Sequence, residues 1–424
     1  MIKRLSSYRN FFQKNKRFTD SLVVTVIVFV FIGLFAKLPI GLGFLNPIGN
    51  SVKDFDIYDV VFSKFRSEQS ADTNIVLVNI GELDREGIAR QLEIINDCSP
   101  KVIGLDLLFY RKKDRLKDSL LEHTIKKCKN IVLASRLDRY NIKNDSYDSL
   151  LSSEQLFKGK YPTGFVNLPE EDAEGYRTIR RFRPYAKYKS SFETAFPIKI
   201  AEVADKNSIR LLNQRNNDKE LINYRGNLNK YFYLESMDPF KNSFNGQILR
   251  DKIVLIGFMG LDIKTKTFED IFFTPLNERY AGRAFPDMYG VVINANIISM
   301  LTKNNYIEVM PAWLSFIIAV CLSLFSINML LLIKRVYKDW FGAVYKLFIF
   351  LFTILDLSLG VFIFNNYTYK VNLTLTIVAI VIGPTCLDLY ELFLRKRIFP
   401  KKKEKDESSA QHSSISRPDV ISRK

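Results

Sequence analysis

Four near-continuous apolar blocks dominate the hydropathy pattern of this 424-residue chain. They cover residues 21–37, 312–333, 347–364 and 371–394. Each block is about as long as the roughly 20 helical residues that cross the hydrocarbon core of a bilayer. The first could also be a cleaved signal peptide, but about 20 residues precede it and no A-x-A-like cleavage site follows. The pattern therefore predicts a multi-pass membrane protein whose first span is an uncleaved signal anchor.

The positions of Lys and Arg predict the orientation of these spans, because cytoplasmic segments retain basic residues. Basic residues precede the first span, separate the second from the third and follow the fourth, as at Lys3, Arg4, Arg9, Arg17, Lys334, Arg335, Lys346, Arg395, Lys396 and Arg397. The connection between the third and fourth spans holds only Lys370. We therefore predict a bacterial inner-membrane protein with both termini cytoplasmic, a basic segment at 1–20 and a disordered basic tail at 395–424.

Between the first two spans the pattern changes to short apolar runs that alternate with amphipathic helices. The runs are NIVLVNI (74–80), KVIGLDLLF (101–109) and NIVLAS (130–135), with helical patterns at 84–96 and 115–128 between them. Such alternation is typical of βαβ units and of a parallel sheet covered on both faces. We predict one extracytoplasmic α/β domain with a mainly parallel sheet over residues 44–310.

Later parts of this domain are assigned by the same rules. We expect a loop or insertion at 139–160, a helix around 191–203, a strand in DKIVLIG (251–257) and a last helix at 291–303 that runs almost directly into the second span. Cys98 and Cys128 each end a predicted helix before a strand, and sequence alone leaves open whether they form a disulfide.

The net charge of +17 raises the possibility of a nucleic-acid partner. Residues 38–311, however, hold 40 basic and 36 acidic residues, whereas the rest of the chain holds 22 and 9. Most of the excess therefore lies beside the spans, where it sets topology and contacts anionic lipid headgroups. We predict membrane lipid as a partner and exclude nucleic acid.

At this point the chain resembles a known family, the sensory extracellular domain associated with cyclases and histidine kinases of the second type. Blocks similar to that family's pattern occur in order: KVIGLDLLF, GFVNLPEEDAEGYRTIRRFRP, LINYRG, DKIVLIG, EDIFFTPL and GVVINANIISML. The family's usual arrangement of one span before the domain and three after it is also present. The resemblance implies a sensory α/β domain over roughly residues 44–307.

Two departures from the family pattern affect what the resemblance implies. Asn294 stands where a histidine commonly precedes the alanine-asparagine pair, so a role of that imidazole does not transfer. Family members usually carry a cyclase, kinase or phosphatase domain after the last span, whereas about 30 polar residues follow here, too few for such a core. We therefore expect a separate cytoplasmic kinase or cyclase as output partner. A homodimer formed through the spans would suit signalling.

Seven residues form the candidate ligand or structural polar site: Asp106, Arg180, Arg181, Arg225, Asp270, Thr274 and Asn294. Asp106 interrupts an apolar run, where a buried carboxylate needs a partner, and we favour a structural tie to backbone amides or an arginine over a ligand site. For Asp270 and Thr274 a loop with side-chain-to-backbone bonds is favoured over a catalytic pair. Arg180 and Arg181 belong to a basic group with Arg177 and Arg183 that suits an anion, although a solvated strand face is the preferred interpretation.

The glycine turn GFMG (257–260) lacks the Lys and Ser/Thr of a phosphate-binding loop, so a tight turn explains it better than a nucleotide site. Such strand ends can still line a ligand crevice, for which Gly81, Gly257 and the EDIFFTP loop are candidates. The only histidines are His123 and His412, which excludes a serine triad and a histidine-based zinc site, while carboxylate chemistry stays open. We expect no enzyme activity, metal or cofactor.

Within the spans, Asp356 is the strongest candidate for coupling between helices, because charges near mid-bilayer usually face a partner. Asp388 and Glu391 are expected to pair with Arg395 or Lys396. The main hypothesis is a membrane sensor whose outer domain detects an unknown ligand or protein and relays it through the spans. The alternative is a non-sensing envelope protein whose outer domain is a docking surface.

Overall fold

The computed structural model describes residues 16–37, 59, 61–153, 157, 160–168, 178–262, 265, 267, 269–277, 285–337 and 339–395. The predicted tail beyond Arg395, most of the N-terminal segment and Arg177 lie outside these residues. The chain divides into two compact units. The α/β domain comprises Gly41–Val309 with Val361–Lys370, and the helical unit comprises Met1–Ile40, Met310–Gly360 and Val371–Lys424.

Fifteen strands are assigned in the described residues. They are β1 (Asp72–Asn79), β2 (Val102–Leu105), β3 (Ile131–Asn141), β4 (Ser146–Ser152), β5 (Thr163–Phe165), β6 (Arg181–Phe182), β7 (Tyr185–Tyr188), β8 (Ser191–Thr194), β9 (Glu220–Leu221), β10 (Tyr231–Leu234), β11 (Ile253–Gly257), β12 (Ile271–Phe272), β13 (Met288–Tyr289), β14 (Glu308–Val309) and β15 (Tyr369–Lys370). The main sheet has nine strands in the order β10-β1-β11-β2-β3-β4-β7-β8, with β5 paired to β3. Strands β10, β1, β11, β2 and the first half of β3 are mutually parallel.

The α-helices of the described residues are α1 (Lys16–Lys37), α2 (Arg85–Asp97), α3 (Arg115–Lys127), α4 (Phe196–Ala204), α5 (Arg210–Arg215), α6 (Gly290–Thr302), α7 (Ala312–Val336), α8 (Phe341–Tyr367) and α9 (Thr374–Leu389). Aspartates begin α2 and α3 because their carboxylates accept hydrogen bonds from otherwise unpaired amides of the first turn. Asp84 accepts from the Gly87 N–H, and Asp114 accepts from the Leu116 and Lys117 N–H groups.

Both faces of the sheet are covered by helices. Alternate residues of β1 and β11, such as Ile75 and Leu255, pack with α4 and α6 in one hydrophobic cluster. Their neighbours, such as Val76 and Val254, pack with α2 and α3 in the other. Because every residue from Ile75 to Asn79 is buried, the strand reads as a continuous apolar run. The predicted α/β class with a mainly parallel sheet is confirmed.

Three local predictions are wrong. The supposed loop at 139–160 contains the end of β3 and all of β4, which form an antiparallel hairpin from Ser135–Ser152 to Asn141–Ser146. The helix expected around 191–203 begins only at Phe196, with Pro197 in its first turn, because residues 191–194 form β8. The strand in KVIGLDLLF ends at Leu105, so Asp106 follows it rather than interrupting it.

The helical unit holds four helices long and apolar enough to cross a membrane, at Lys16–Phe35, Ala312–Val336, Phe341–Tyr367 and Thr374–Leu394. Helices α1, α7 and α9 pack through one apolar cluster that includes Val24, Ile327 and Ala379. One candidate span precedes the α/β domain in the chain and three follow it. The prediction of a multi-pass membrane protein is thereby confirmed.

Candidate functional site

The carboxyl-terminal ends of β2 and β11 meet the N-terminus of α6. Asn294 Nδ2 lies 2.9 Å from Asp106 Oδ2 and donates a hydrogen bond to it. A Cβ on Gly257 would come within 3.3 Å of the Asp106 Cβ and 3.0 Å of Val291. A side chain here would therefore push Val291 or Asp106 away by a few tenths of an ångström, because the strand end approaches the helix closely. The predicted partners of Asp106 are backbone amides or an arginine, whereas the partner seen here is an asparagine of α6.

Asn79 organises the GFMG turn beside this contact. Its buried amide accepts hydrogen bonds from the Met259 N–H at 2.9 Å and the Gly81 N–H at 3.1 Å, and donates to the Gly260 carbonyl at 3.1 Å. The turn is thus held by a side chain of the neighbouring strand. Sequence reasoning missed Asn79, although a polar residue ending a buried run was a usable signal.

Asp270 and Thr274 do not form a pair with each other. The Asp270 carbonyl accepts the Gly290 N–H at 3.0 Å, and Asp270 adopts a left-handed conformation with φ of 53°. Thr274 is bonded instead to Asp287, whose carboxylate accepts the Thr274 N–H at 2.8 Å and its hydroxyl at 2.5 Å. Burial raises the pKa of Asp287 to about 6, against the opposing effect of these hydrogen bonds.

Arg225 belongs to a charged network at the amino-terminal ends of the strands, opposite Asp106. Its Nε donates to Ser299 Oγ at 2.9 Å, and its Nη1 donates to the Ser70 carbonyl at 2.7 Å. Asp72, only 1% exposed, accepts from Ser299 Oγ at 2.6 Å and pairs with Lys303 Nζ at 2.8 Å. Burial would raise the pKa of Asp72, but the hydrogen bonds from Lys303 and Ser299 lower it overall.

Arg66, which precedes β1 in the chain, extends this network. It donates to the Tyr224 carbonyl and, at 2.5 Å, to Asn223 Oδ1, and its guanidinium lies 4.8 Å from the Phe62 ring centroid. Burial and the nearby charge of Arg225 lower the pKa of Arg66 to about 10. The network therefore joins the segment before β1 to the C-terminal half of α6. Of this network the sequence predicts only Arg225. Its partners could not be predicted because they are distant from it in sequence.

The predicted arginine group is not one site. Arg180 forms a forked ion pair with Asp59, with Nε 2.8 Å from Oδ1. Arg183 lies 3.1 Å from Asp145 and 3.5 Å from Asp218. Arg181 is exposed and lines a different space, a cleft described below. Alternation along the strand sends these side chains to separate environments.

Two spaces of the α/β domain differ greatly in size. An apolar cavity of about 20 Å³ beside Asp59 and Arg180 holds little more than one water molecule. An open cleft of about 470 Å³ is lined mainly by polar side chains, including Arg181, Arg215, Asn217, Lys219, Glu220 and Glu308. Only the second is large enough for a small-molecule ligand.

A family model for the CHASE2 domain matches residues 26–328. The chain belongs to the CHASE2 family. No curated protein and no solved structure matches it. The matched range contains the nine-stranded sheet and α2 to α6, with the strand-end contact, the charged network and the cleft. A CHASE2 domain is a sensory domain, and together with four candidate spans it makes this chain a membrane sensor.

No group of three or more His, Cys, Asp or Glu side chains suited to a metal ion occurs in the described part of the CHASE2 protein. Cys98 and Cys128 are both free, so no disulfide joins them. Burial raises the pKa of the Cys128 thiol to about 12. These cysteines therefore pack in the core rather than cross-link the domain.

In the helical unit of the CHASE2 protein, Asp356 of α8 is 6% exposed. Within the described residues its Oδ2 has no hydrogen-bonding partner, so the predicted role in coupling stays a prediction. Glu391 pairs with Arg395 at 3.1 Å and with Lys334 at 2.5 Å, and Arg395 also reaches Asp20 at 3.1 Å. The sequence predicts the pairing with Arg395 but not the partners on other helices.

Proposed function

We propose that this sensor has its CHASE2 domain outside the cytoplasm of a bacterial inner membrane, with both termini inside, and relays an external signal to a separate cytoplasmic kinase or cyclase. The positive-inside distribution of Lys and Arg supports the orientation. The family's usual coupling to cyclases and kinases supports the class of partner. The signal itself is an unidentified ligand or protein.

The burial and end contacts of helix α6 support a role in transmitting the signal. Every residue from Val291 to Leu301 is buried, so the helix is packed along its length. Asn294, near its N-terminus, contacts Asp106 at the carboxyl ends of the strands, and Ser299 contacts Asp72 at their amino ends. A helix of 13 residues spans about 20 Å. A displacement of α6 at the carboxyl ends of the strands therefore reaches their amino ends, because one rigid helix spans both.

The chain leaves this helix close to a span. Thr302 ends α6 and Ala312 begins α7, so only residues 303–311 separate them. Lys303 in this connection pairs with Asp72, and the Asn305 carbonyl accepts from Asn223 Nδ2 at 2.9 Å. The segment after the first span joins the same network through Arg66. Both connections to spans are thus tied to the position of α6. A ligand shifts the equilibrium between two positions of α6 by the difference in its affinity for them.

A crosslinking experiment tests the output. The full chain, with a photo-crosslinking residue at position 395, is compared in living cells with a chain truncated after residue 395. We expect the full chain to capture a kinase or cyclase and the truncated chain to lose it. If the truncated chain keeps its phenotype and neither chain captures a cytoplasmic protein, the relay is wrong and the docking role replaces it.

Cysteine labelling tests the orientation independently. Leu116 of the α/β domain is 81% exposed and Tyr337, between α7 and α8, is 51% exposed. With a membrane-impermeant maleimide, we expect Leu116→Cys to be labelled in spheroplasts and Tyr337→Cys only after permeabilisation. The parent chain with its native cysteines gives the background. The reverse pattern would place the domain inside.

A further inference from the structure

More cationic side chains than carboxylates line the 470 Å³ cleft. It lies between β6, β9, the end of α5 and the segment Ile307–Val309, all within the α/β domain. Arg181, Arg215 and Lys219 line it. In the part of the chain that the structure describes, neither Arg181 nor Lys219 has a carboxylate within ion-pair distance. Such a surface attracts anions.

Arg215 is fixed in the wall of the cleft. Glu220, only 3% exposed, accepts from its Nε at 2.8 Å and from its Nη2 at 3.2 Å, and Asn217 donates to Glu220 at 2.8 Å. The guanidinium also lies 4.9 Å from the Tyr306 ring centroid. A guanidinium held in this way is preorganised to bind an oxyanion with its remaining N–H groups.

Glu308 occupies that remaining position. Its carboxylate pairs with Arg215 Nη1, yet the Glu308 side chain is 58% exposed. Because water reaches the Glu308 carboxylate, this pair is worth less than the one that Arg215 makes with the buried Glu220. Glu308 therefore occupies the Arg215 N–H groups that an anion would use, with only a modest gain in stability. Within the described residues, Arg181 and Lys219 line the same cleft without a carboxylate in ion-pair distance.

We propose that this cleft binds a small anion bearing a carboxylate or phosphate group, which takes the place of Glu308 on Arg215 and also contacts Arg181 and Lys219. Glu308 belongs to β14, which pairs with β15 and lies three residues before α7. If Glu308 is released, the connection to α7 changes; this second step rests on the proposed function. The anion site itself does not depend on the proposed function.

Calorimetric titration of the full chain in phosphatidylcholine nanodiscs, at constant ionic strength, tests the site with citrate and inorganic phosphate as probes. We expect saturable binding of one anion. Arg181→Gln combined with Lys219→Gln weakens it at least about tenfold, because two charge-assisted contacts are lost. Glu308→Gln strengthens it by roughly twofold to fivefold, because the competing carboxylate is removed.

Lys187→Gln combined with Lys206→Gln is the matched control, since both lysines are exposed and neither lines the cleft. This pair changes net charge equally and should leave the affinity within about twofold. Absence of binding to either probe overturns the proposal. So does equal or weaker binding by Glu308→Gln, or equal loss in the control pair.

Two further arms separate the source of the anion and the relay. Phosphatidylglycerol in the nanodisc that competes with citrate assigns the site to a lipid phosphate, and absence of competition assigns it to a soluble anion. Hydrogen exchange of the Glu308 amide, which donates to the Thr368 carbonyl at 3.1 Å, reports the span connection. Citrate binding with unchanged exchange retains the anion site and removes its part in the relay.

Discussion

The two ends of α6 are attached to the sheet by different chemistry. At the N-terminal end the uncharged amide of Asn294 meets the half-buried Asp106. At the C-terminal end Lys303 and Ser299 meet Asp72, which is almost fully buried, with Arg225 close by. Breaking a buried ion network leaves charge without solvent, whereas an amide contact is exchanged for water at modest cost.

This difference indicates which end can respond to a signal. A stimulus supplies a few kcal/mol of differential binding, enough to rearrange polar contacts but not to unmake a buried ionic network. We therefore expect the N-terminal end of α6 to be the adjustable end and the C-terminal end to be the anchor.

Removing the anchor should have the largest effect. In Asp72→Asn the positive charges of Lys303 and Arg225 lose their shared carboxylate, so we expect the free energy of unfolding to fall by about 3 kcal/mol or more. Thermal unfolding of the full chain in detergent, followed by circular dichroism, measures this. Glu68→Gln is the control, because Glu68 is 83% exposed and its solvated pair with Lys230 should contribute little to stability. Equal effects of the two variants would contradict the anchor.

Two asparagines of α6, two residues apart, compare the contact with Asp106 with the contacts to the Arg225 segment. Asn296 is fully buried, donates to the Gly226 and Val292 carbonyls, and accepts from the Arg225 N–H at 2.7 Å. Asn296→Ala should therefore cost about 2–3 kcal/mol of unfolding free energy, because it leaves the buried Arg225 amide unsatisfied. Asn294→Ala should cost about 1 kcal/mol and increase hydrogen exchange only in the first turn of α6.

Chemical denaturation and exchange mass spectrometry of both variants decide this. A larger loss for Asn294→Ala than for Asn296→Ala would reverse the assignment of the two ends.

The sequence predicts the adjustable end better than the anchor. Asp106 stands out as a polar residue beside an apolar run, and Asn294 stands out because it replaces a histidine of the family pattern. Asp72 and Lys303 sit at the ends of elements, where charged residues are ordinary, and Asp72 meets Ser299 across 227 positions. Nothing local in a single sequence marks such a contact.

The same contrast holds for the fold. Runs such as IVLVN and helices such as α2 have a clear period and are predicted within a few residues. The hairpin strand β4, SYDSLLS, and the two-residue strands β6 and β9 carry too few apolar residues to show a period. Their pairing is decided by tertiary contacts, so the cleft that β6 and β9 border could not be predicted either.

Acidity gives the most specific contrast between the two ends. Asp287, just before β13 and α6, has a pKa raised by burial to about 6, above the ordinary value near 3.9. Between about pH 4 and 6 the folded state therefore holds a proton that the unfolded state lacks. Its contribution to the free energy of unfolding falls as pH rises through this window, by roughly 3 kcal/mol.

Asp287→Asn should remove that dependence while keeping hydrogen bonds to Thr274, so the variant gains stability relative to the parent chain between pH 4 and pH 7. Asp72, whose pKa is lowered, has the opposite sign: its contribution is present above about pH 4 and is lost as pH falls below it. Denaturation of both variants at pH 3.5, 5 and 7 measures the two trends. A constant difference between Asp287→Asn and the parent chain would show that Asp287 does not titrate in this window, and the N-terminal end of α6 would then respond to ligand alone.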